Sequence, residues 1–167
     1  MRIREERVED RDLIRSLHTQ AFGTAAEADL VDALRDSGVP CISLVAWENH
    51  ELRGHILFTP VALSGHADLK LMGLAPMAVM PAYQRRGIGS RLVGAGLERC
   101  AARDYDAVVV LGHPDFYPRF GFEPSIHYAI TSEYDVPDEA FMIRELRAGV
   151  LRDVSGIIRY HPLFAGF

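Results

Sequence analysis

The most constraining feature of the sequence is a succession of strand, turn, helix and strand between Leu69 and Leu111. Leu69–Val79 is an apolar run and Ala107–Leu111 is mostly valine, which predicts two strands. Between them, residues 87–103 carry apolar side chains with a period near that of an α-helix. A helical crossover of this length joins parallel neighbouring strands in a right-handed unit. The sequence therefore predicts an α/β fold with a parallel strand pair near its middle.

Similar patterns predict the remaining elements. We expect a first strand within Met1–Val8 and a helix that is capped by Asp10 and ended by Gly23, with Leu13, Ile14, Leu17 and Ala21 on its apolar face. A second helix should cover Ala25–Asp36 and stop at Gly38. Antiparallel strands should follow at Ile42–Trp47, Leu52–Leu63 and Leu69–Val79, with a bulge at Gly54 or Gly73. A short helical piece at Pro114–Phe120 and strands at Phe141–Arg147 and Ile157–Tyr160 complete the prediction.

These elements fit one domain over residues 1–167, because a chain of this length can bury a core of its own. The expected architecture is α/β (α+β), with a mixed, mostly antiparallel sheet and helices on both faces. One central parallel pair would interrupt the antiparallel order.

Composition excludes several functional classes. Eighteen Lys and Arg against 23 Asp and Glu give a formal charge of -5, which argues against nucleic acid as a partner. No apolar stretch is long enough to span a bilayer and no signal segment is visible, so we expect a cytoplasmic protein without a membrane partner. Cys41 and Cys100 match no redox or metal spacing, and none of the seven histidines forms a metal motif. We therefore expect no metal.

Residues 84–90 read Gln-Arg-Arg-Gly-Ile-Gly-Ser and join a predicted strand to a predicted helix. Helix N-termini direct unpaired N–H groups and positive dipole charge outward, which suits a phosphate group. Gly87 and Gly89 lack the side chains that would keep an anion away, and Arg85 and Arg86 add positive charge. The alternative is a tight turn with solvated arginines.

The segment Gln84–Gly89, preceded by Val79, Met80 and Pro81, resembles the Gln/Arg-x-x-Gly-x-Gly/Ala signature of the GNAT family, the Gcn5-related N-acetyltransferases. The predicted element order is similar to the GNAT order over about the first 125 residues. The resemblance implies that acetyl-CoA is the cosubstrate and that its pyrophosphate binds at this turn. It also implies that two parallel strands splay apart, so that freed backbone groups bind the pantetheine arm. The residues implied to bind the coenzyme are Met77, Ala78, Val79, Gln84, Arg85, Arg86, Gly87, Ile88, Gly89, Ser90 and Phe116.

Tyr117 matches the position at which many family members carry a tyrosine near the thioester sulfur, four residues before Gly121. The resemblance implies that Tyr117 is catalytic. A phenol can donate a proton or a hydrogen bond to the departing thiolate. The alternative is that Tyr117 is an aromatic packing residue beside Phe116.

The general base is not apparent in the sequence. Lys70–Tyr83 contains no Asp or Glu, so the strand carboxylate used by many GNAT enzymes is absent. The remaining candidates are His113, Asp115, Glu27 and Asp29, and a relay through water is the favoured solution.

Two functions remain open at this point. The first is an N-acetyltransferase that moves an acetyl group from acetyl-CoA to a primary amine, on a small molecule or a peptide, by direct attack in a ternary complex. The second is a non-catalytic acyl-CoA-binding sensor or interaction module. Exposed strand edges and the apolar segment 160–164 are compatible with a homodimer.

Overall fold

The computed structural model describes the whole chain, Met1–Phe167, and contains nine strands and three α-helices. The strands are β1 (Arg2–Glu5), β2 (Ile42–Glu48), β3 (Glu51–Leu63), β4 (Leu71–Val79), β5 (Ala107–Leu111), β6 (Glu123–Pro124), β7 (Ile130–Ser132), β8 (Phe141–Glu145) and β9 (Gly156–Arg159). The helices are α1 (Arg11–Phe22), α2 (Ala26–Asp36) and α3 (Ile88–Ala102). Short 3-10 helices lie at Val8–Asp10, Pro81–Tyr83, Tyr117–Phe120, Ser125–Tyr128 and Pro162–Gly166. No helix combines the length and apolar character needed to cross a bilayer.

The strand pairing confirms the predicted mixed, mostly antiparallel sheet. Strands β1, β2 and β3 pair antiparallel in chain order, and β3 neighbours β4. Strands β4 and β5 pair in parallel through the crossover helix α3, as predicted. Strand β8 lies antiparallel between β5 and β6. The short strand β9 pairs antiparallel with the end of β3 and parallel with β7, which adds a second parallel pair.

The chain divides into two compact units that are each assembled from separate segments. The first unit contains Met1–Thr59, Ala75–Gly96 and Pro162–Phe167, and the second contains Pro60–Leu74 and Leu97–His161. Strands β3 and β4 and helix α3 run from one unit into the other. The expectation of one domain over residues 1–167 stays a prediction.

In the first unit, helices cover both faces of strand β3. A Cβ atom on Gly54 would lie 2.8 Å from Leu92 Cδ1 of α3, whereas the imidazole of His55 bonds to His18 of α1. Consecutive strand residues point to opposite faces, so α3 and α1 lie on opposite sides of β3. Helix α3 also approaches β3 closely at Gly96, where a Cβ would lie 2.2 Å from the Phe58 ring. These contacts fix the N-terminal half of α3 against the sheet.

The second unit has its own apolar core around β5. Val109 and Ile143, which pair across β5 and β8, are both fully buried in it. The other buried members of this core are Val61, Leu63, Leu71, Ala107, Ile130, Phe141, Leu151 and Ile158. Gly73 lies beside Val61, where a Cβ would come within 2.9 Å of that side chain. Glycine at this position therefore leaves room for the Val61 side chain and for the Tyr160 ring, which would lie 3.1 Å from that Cβ.

Three details differ from the sequence-based expectations in the first unit. Asp10 precedes α1, but its carboxylate accepts from Arg7 N at 2.7 Å and from Arg4 Nη1 at 2.6 Å instead of capping the helix. Leu13 is 47% exposed, and His18 completes the buried stripe of α1. The bulge occurs at Arg53, because Ala46 pairs with Gly54 and Trp47 with Leu52.

The C-terminal third differs more from prediction. Of the segment Pro114–Phe120, only Tyr117–Phe120 is helical, as a 3-10 helix. The strands β6 and β7 were not expected from the sequence, since two or three residues are too short to show alternation. Strands β8 and β9 confirm the predictions at Phe141 and Ile157, to within two residues at each end.

Candidate active site

The turn between β4 and α3 is held by its own hydrogen bonds. Tyr83 N donates to the carbonyl of Met80 at 2.8 Å, and Gln84 Nε2 donates to the carbonyl of Val79 at 3.1 Å. Gln84, the first residue of the signature, therefore ties the turn back to the last residue of β4. Gly87 has a φ of 85°, a left-handed conformation that favours glycine, and a Cβ there would meet no atom within 4 Å. Backbone conformation, and not crowding, requires glycine at this position.

Helix α3 begins with open N–H groups. Arg91 N donates to the carbonyl of Gly87, the residue just before the helix, at 3.1 Å. The N–H groups of Ile88, Gly89 and Ser90 precede this first helical bond and have no acceptor within the helix. Gly87 and the two arginines before it are exposed, whereas the side chain of Ile88 is buried and anchors the helix start. Free N–H groups, the positive helix end and nearby guanidinium groups together favour an anion.

Strand β4 is longer than its ladder with β5. The parallel ladder covers Leu71–Leu74, whereas β4 continues to Val79. The ladder stops shortly before Pro76, which has no N–H to donate. In the following segment Ala78 is buried, and Met77 and Val79 are half-buried. The three residues implied to bind the pantetheine arm therefore lie in the part of β4 beyond the β5 ladder.

Tyr117 lies in an aromatic cluster of the second unit. The residue is 8% exposed, and its ring meets the rings of Phe116 and Phe122 edge-on, at centroid distances of 5.0 and 5.7 Å. A Cβ on Gly112 would lie 2.2 Å from this ring, so glycine makes room for the tyrosine. Burial raises the pKa of Tyr117 to about 12. The phenol therefore stays protonated at neutral pH and can act as a hydrogen-bond donor.

The four candidate bases are exposed or half-buried. Asp29 forms an ion pair with Arg15 at 2.7 Å, and Glu27 accepts from the Thr24 hydroxyl at 3.4 Å. His113 and Asp115 are exposed in the segment that follows β5. Asp29 thus has a partner on α1, and Glu27 has one in the segment before α2.

A buried polar chain in the first unit was not anticipated. Ser43 Oγ donates to Glu6, so it can only accept from His55 Nε2, at 2.7 Å. Neutral His55 then accepts through Nδ1 from His18 Nε2, at 2.8 Å, which leaves a lone pair on His18 Nδ1 without a partner. Burial is the main cause that lowers the pKa of His18 to about 4 and the pKa of His55 well below its usual value. No sequence signal could connect these groups, because 37 residues separate the two histidines.

The structure groups the implied coenzyme residues in two sets. Met77, Ala78, Val79 and Gln84–Ser90 belong to the first unit, on one continuous segment. Phe116 and Tyr117 belong to the second unit. No group of three or more His, Cys, Asp or Glu side chains in the structure could hold a metal ion.

Comparison with known proteins identifies the family. A sequence model described as an acetyltransferase (GNAT) domain matches residues 2–125. The chain is 36% identical to the uncharacterized N-acetyltransferase YhbS of Escherichia coli strain K12 over 168 residues, which is 100% of both chains. It is 42% identical over 142 residues to the uncharacterized N-acetyltransferase YjhQ of the same strain, covering 81% of this chain and 78% of the relative.

Two solved structures with bound coenzyme are similar over nearly the whole chain. The structure of YhbS from Escherichia coli in complex with CoA superposes with a TM-score of 0.93 at 36% identity, covering 98% of this chain and 91% of that one. A GNAT family acetyltransferase from Brucella melitensis in complex with acetyl-CoA gives a TM-score of 0.81 at 32% identity, covering 98% and 97%. The strand order, the signature turn and these relatives agree, and the chain belongs to the GNAT family of acetyltransferases.

Proposed function

We propose that the protein transfers an acetyl group from acetyl-CoA to a primary amine, by direct attack of the amine on the thioester carbonyl while both substrates are bound. The acceptor is a small molecule or a peptide that presents the amine. The observation that carries the proposal is the start of α3, where three open N–H groups follow the exposed residues Arg85, Arg86 and Gly87. The relatives solved with CoA and acetyl-CoA support the identity of the anion.

The signature turn fits a pyrophosphate group in charge and in shape. The open N–H groups of Ile88, Gly89 and Ser90 donate to its oxygens, and Arg85 and Arg86 supply positive charge. Because Gly87 carries no side chain and its surroundings are open, a phosphate can approach the backbone closely. Gln84 stabilises the turn through its side-chain hydrogen bond to the carbonyl of Val79.

The end of β4 has a separate role in this proposal. Backbone groups of Met77, Ala78 and Val79 bind the amides of the pantetheine arm, as a neighbouring strand would. The length of β4 beyond the β5 ladder supports this assignment. An unpaired backbone group gains a partner in this way, which offsets its cost of burial.

Tyr117 stabilises the leaving thiolate by a hydrogen bond. A free thiol has a pKa of about 8.5, so a phenol with a pKa of about 12 does not transfer its proton to the thiolate completely. The phenol instead donates a hydrogen bond, and solvent supplies the proton that converts the thiolate to the thiol. The proton released from the amine passes to water. Phe116 packs against Tyr117 and contacts the coenzyme.

The test is release of free thiol from acetyl-CoA, measured with a thiol-reactive dye against a panel of polyamines, amino sugars and peptides with free amines. We expect at least one amine to raise thiol release above the rate with water alone, and mass spectrometry to find that amine heavier by one acetyl group. Tight coenzyme binding without acetylation of any amine would contradict the catalytic proposal and favour the sensor. Failure to bind CoA or acetyl-CoA in calorimetry would contradict both.

A further inference from the structure

We propose that Tyr83 is a positioning residue for the coenzyme phosphates, whose ring orients the guanidinium of Arg86 beside the start of α3. Arg53 is the fixed support beneath that ring. The inference rests on the proposed function, because it concerns how one cation of the turn is held for the pyrophosphate. Neither Tyr83 nor Arg53 belongs to the signature motif.

Arg53 is fixed by both its backbone and its side chain. Its carbonyl accepts from Met80 N at 2.9 Å, next to the turn. The side chain is buried, with Nη1 2.8 Å from Glu48 and Nη2 3.6 Å from Glu51. Its Cζ lies 3.7 Å from the centroid of the Tyr83 ring, in direct stacking contact. The bulged residue of β3 thus fixes the position of the ring.

Arg86, which is exposed, also contacts the Tyr83 ring. Its Cζ lies 5.3 Å from the centroid of Tyr83, within the range of a cation–π interaction. Two cations at one ring repel each other, but Glu48 and Glu51 neutralise Arg53. Arg86 has no carboxylate partner among the ion pairs of the structure, so its charge is available to an anion.

The ring reduces the cost of binding an anion. A free arginine side chain has many rotamers, and ordering it on a phosphate costs conformational entropy. Arg86 is exposed, and the ring of Tyr83 restricts it before any ligand arrives. A preorganised guanidinium pays less of this entropy on binding. Removing the ring should therefore weaken coenzyme binding through Arg86 and not independently of it.

The test is a double-mutant cycle read out as the Kd for CoA in calorimetry. We expect Tyr83→Leu to raise Kd about two- to fivefold. Arg86→Ala should raise it on the order of tenfold. The double variant should bind no more weakly than Arg86→Ala alone. Tyr83→Phe keeps the ring and should bind CoA with wild-type affinity, whereas a role of the Tyr83 hydroxyl would make this variant bind more weakly. Tyr83→Met replaces the leucine variant if that variant does not fold.

Tyr105→Leu is the matched control. It removes another ring stacked on a cation, because Lys70 Nζ lies 4.7 Å from the Tyr105 centroid, but it lies outside the signature turn. Its Kd for CoA should equal that of the wild type. Losses that add in the double variant, or a Tyr83→Leu variant with wild-type affinity, would overturn this inference alone. A wild-type chain that does not bind CoA would overturn the proposed function and this inference with it.

Discussion

The buried histidine pair predicts a specific loss of stability in acid. The pKa of His18 is about 4 in the folded chain, mainly because of burial, with a smaller contribution from the charge of Arg35. In the unfolded chain it returns to about 6.5. Between these values the unfolded chain binds the extra proton, so stability is intact above pH 6.5 and falls as the pH falls towards 4. The full difference corresponds to about 3 kcal/mol, at roughly 1.4 kcal/mol per pKa unit.

The assay compares wild type with His18→Gln in urea unfolding at two pH values. Glutamine does not titrate, and its amide can still donate to His55 Nδ1 in place of the imidazole. At pH 5 the linkage relation gives a loss of about 2 kcal/mol from His18, whereas at pH 7 the loss is close to zero. The variant is less stable than wild type at pH 7 because a buried side chain is replaced. We expect this difference to shrink by about 2 kcal/mol at pH 5.

The control is His127→Gln, which changes an exposed histidine. Urea unfolding of this variant at the same two pH values measures how much the loss of a surface histidine alone changes the stability. If the difference between wild type and His18→Gln were the same at pH 5 and pH 7, His18 would not be held neutral by burial, and the reasoning from the buried polar chain would be refuted.

Three further predictions test the helix and the assigned residues. Gly96→Ala should lower the free energy of unfolding by about 1–3 kcal/mol because the added methyl overlaps the Phe58 ring, whereas Gly94→Ala in the same helix meets no atom within 4 Å and should gain up to about 1 kcal/mol, both measured by urea unfolding. Gly89→Asp should abolish measurable CoA binding in calorimetry by placing a negative charge at the proposed phosphate site, while Gly89→Ala should weaken it far less; equal losses would point to bulk and not to charge. Tyr117→Phe should bind acetyl-CoA normally and release thiol on the order of 10²-fold more slowly with a competent amine, and wild-type turnover would remove Tyr117 from the mechanism.

Local sequence patterns predicted most of the fold because most of its helices, strands and turns are determined by residues close together in the sequence. The α3 stripe, the valines of β5 and the glycines after α1 and α2 each depend on neighbouring residues, and the observed elements agree closely. The signature turn was predictable for the same reason, since its glycine and its following helix are adjacent in the chain.

Features that depend on distant residues were not predictable. Aspartate is a residue type that often caps helices, but the carboxylate of Asp10 binds Arg4 of the neighbouring strand instead of the N–H groups of α1. His18 lies on the buried face of α1 because its partner is on β3, and Arg53 meets Tyr83 only after the sheet has formed. A local pattern carries no information about such partners.

The anchored turn after β4 has a consequence for the kinetics and the heat capacity of the proposed coenzyme binding. Because Gln84 already holds the turn to Val79 and Gly87 already has its left-handed conformation, binding as proposed requires no folding of this loop. Association should therefore be a single kinetic phase whose rate rises linearly with ligand concentration, without a slow isomerisation step. The heat-capacity change should be small as well, since only the surface covered by the ligand is removed from water.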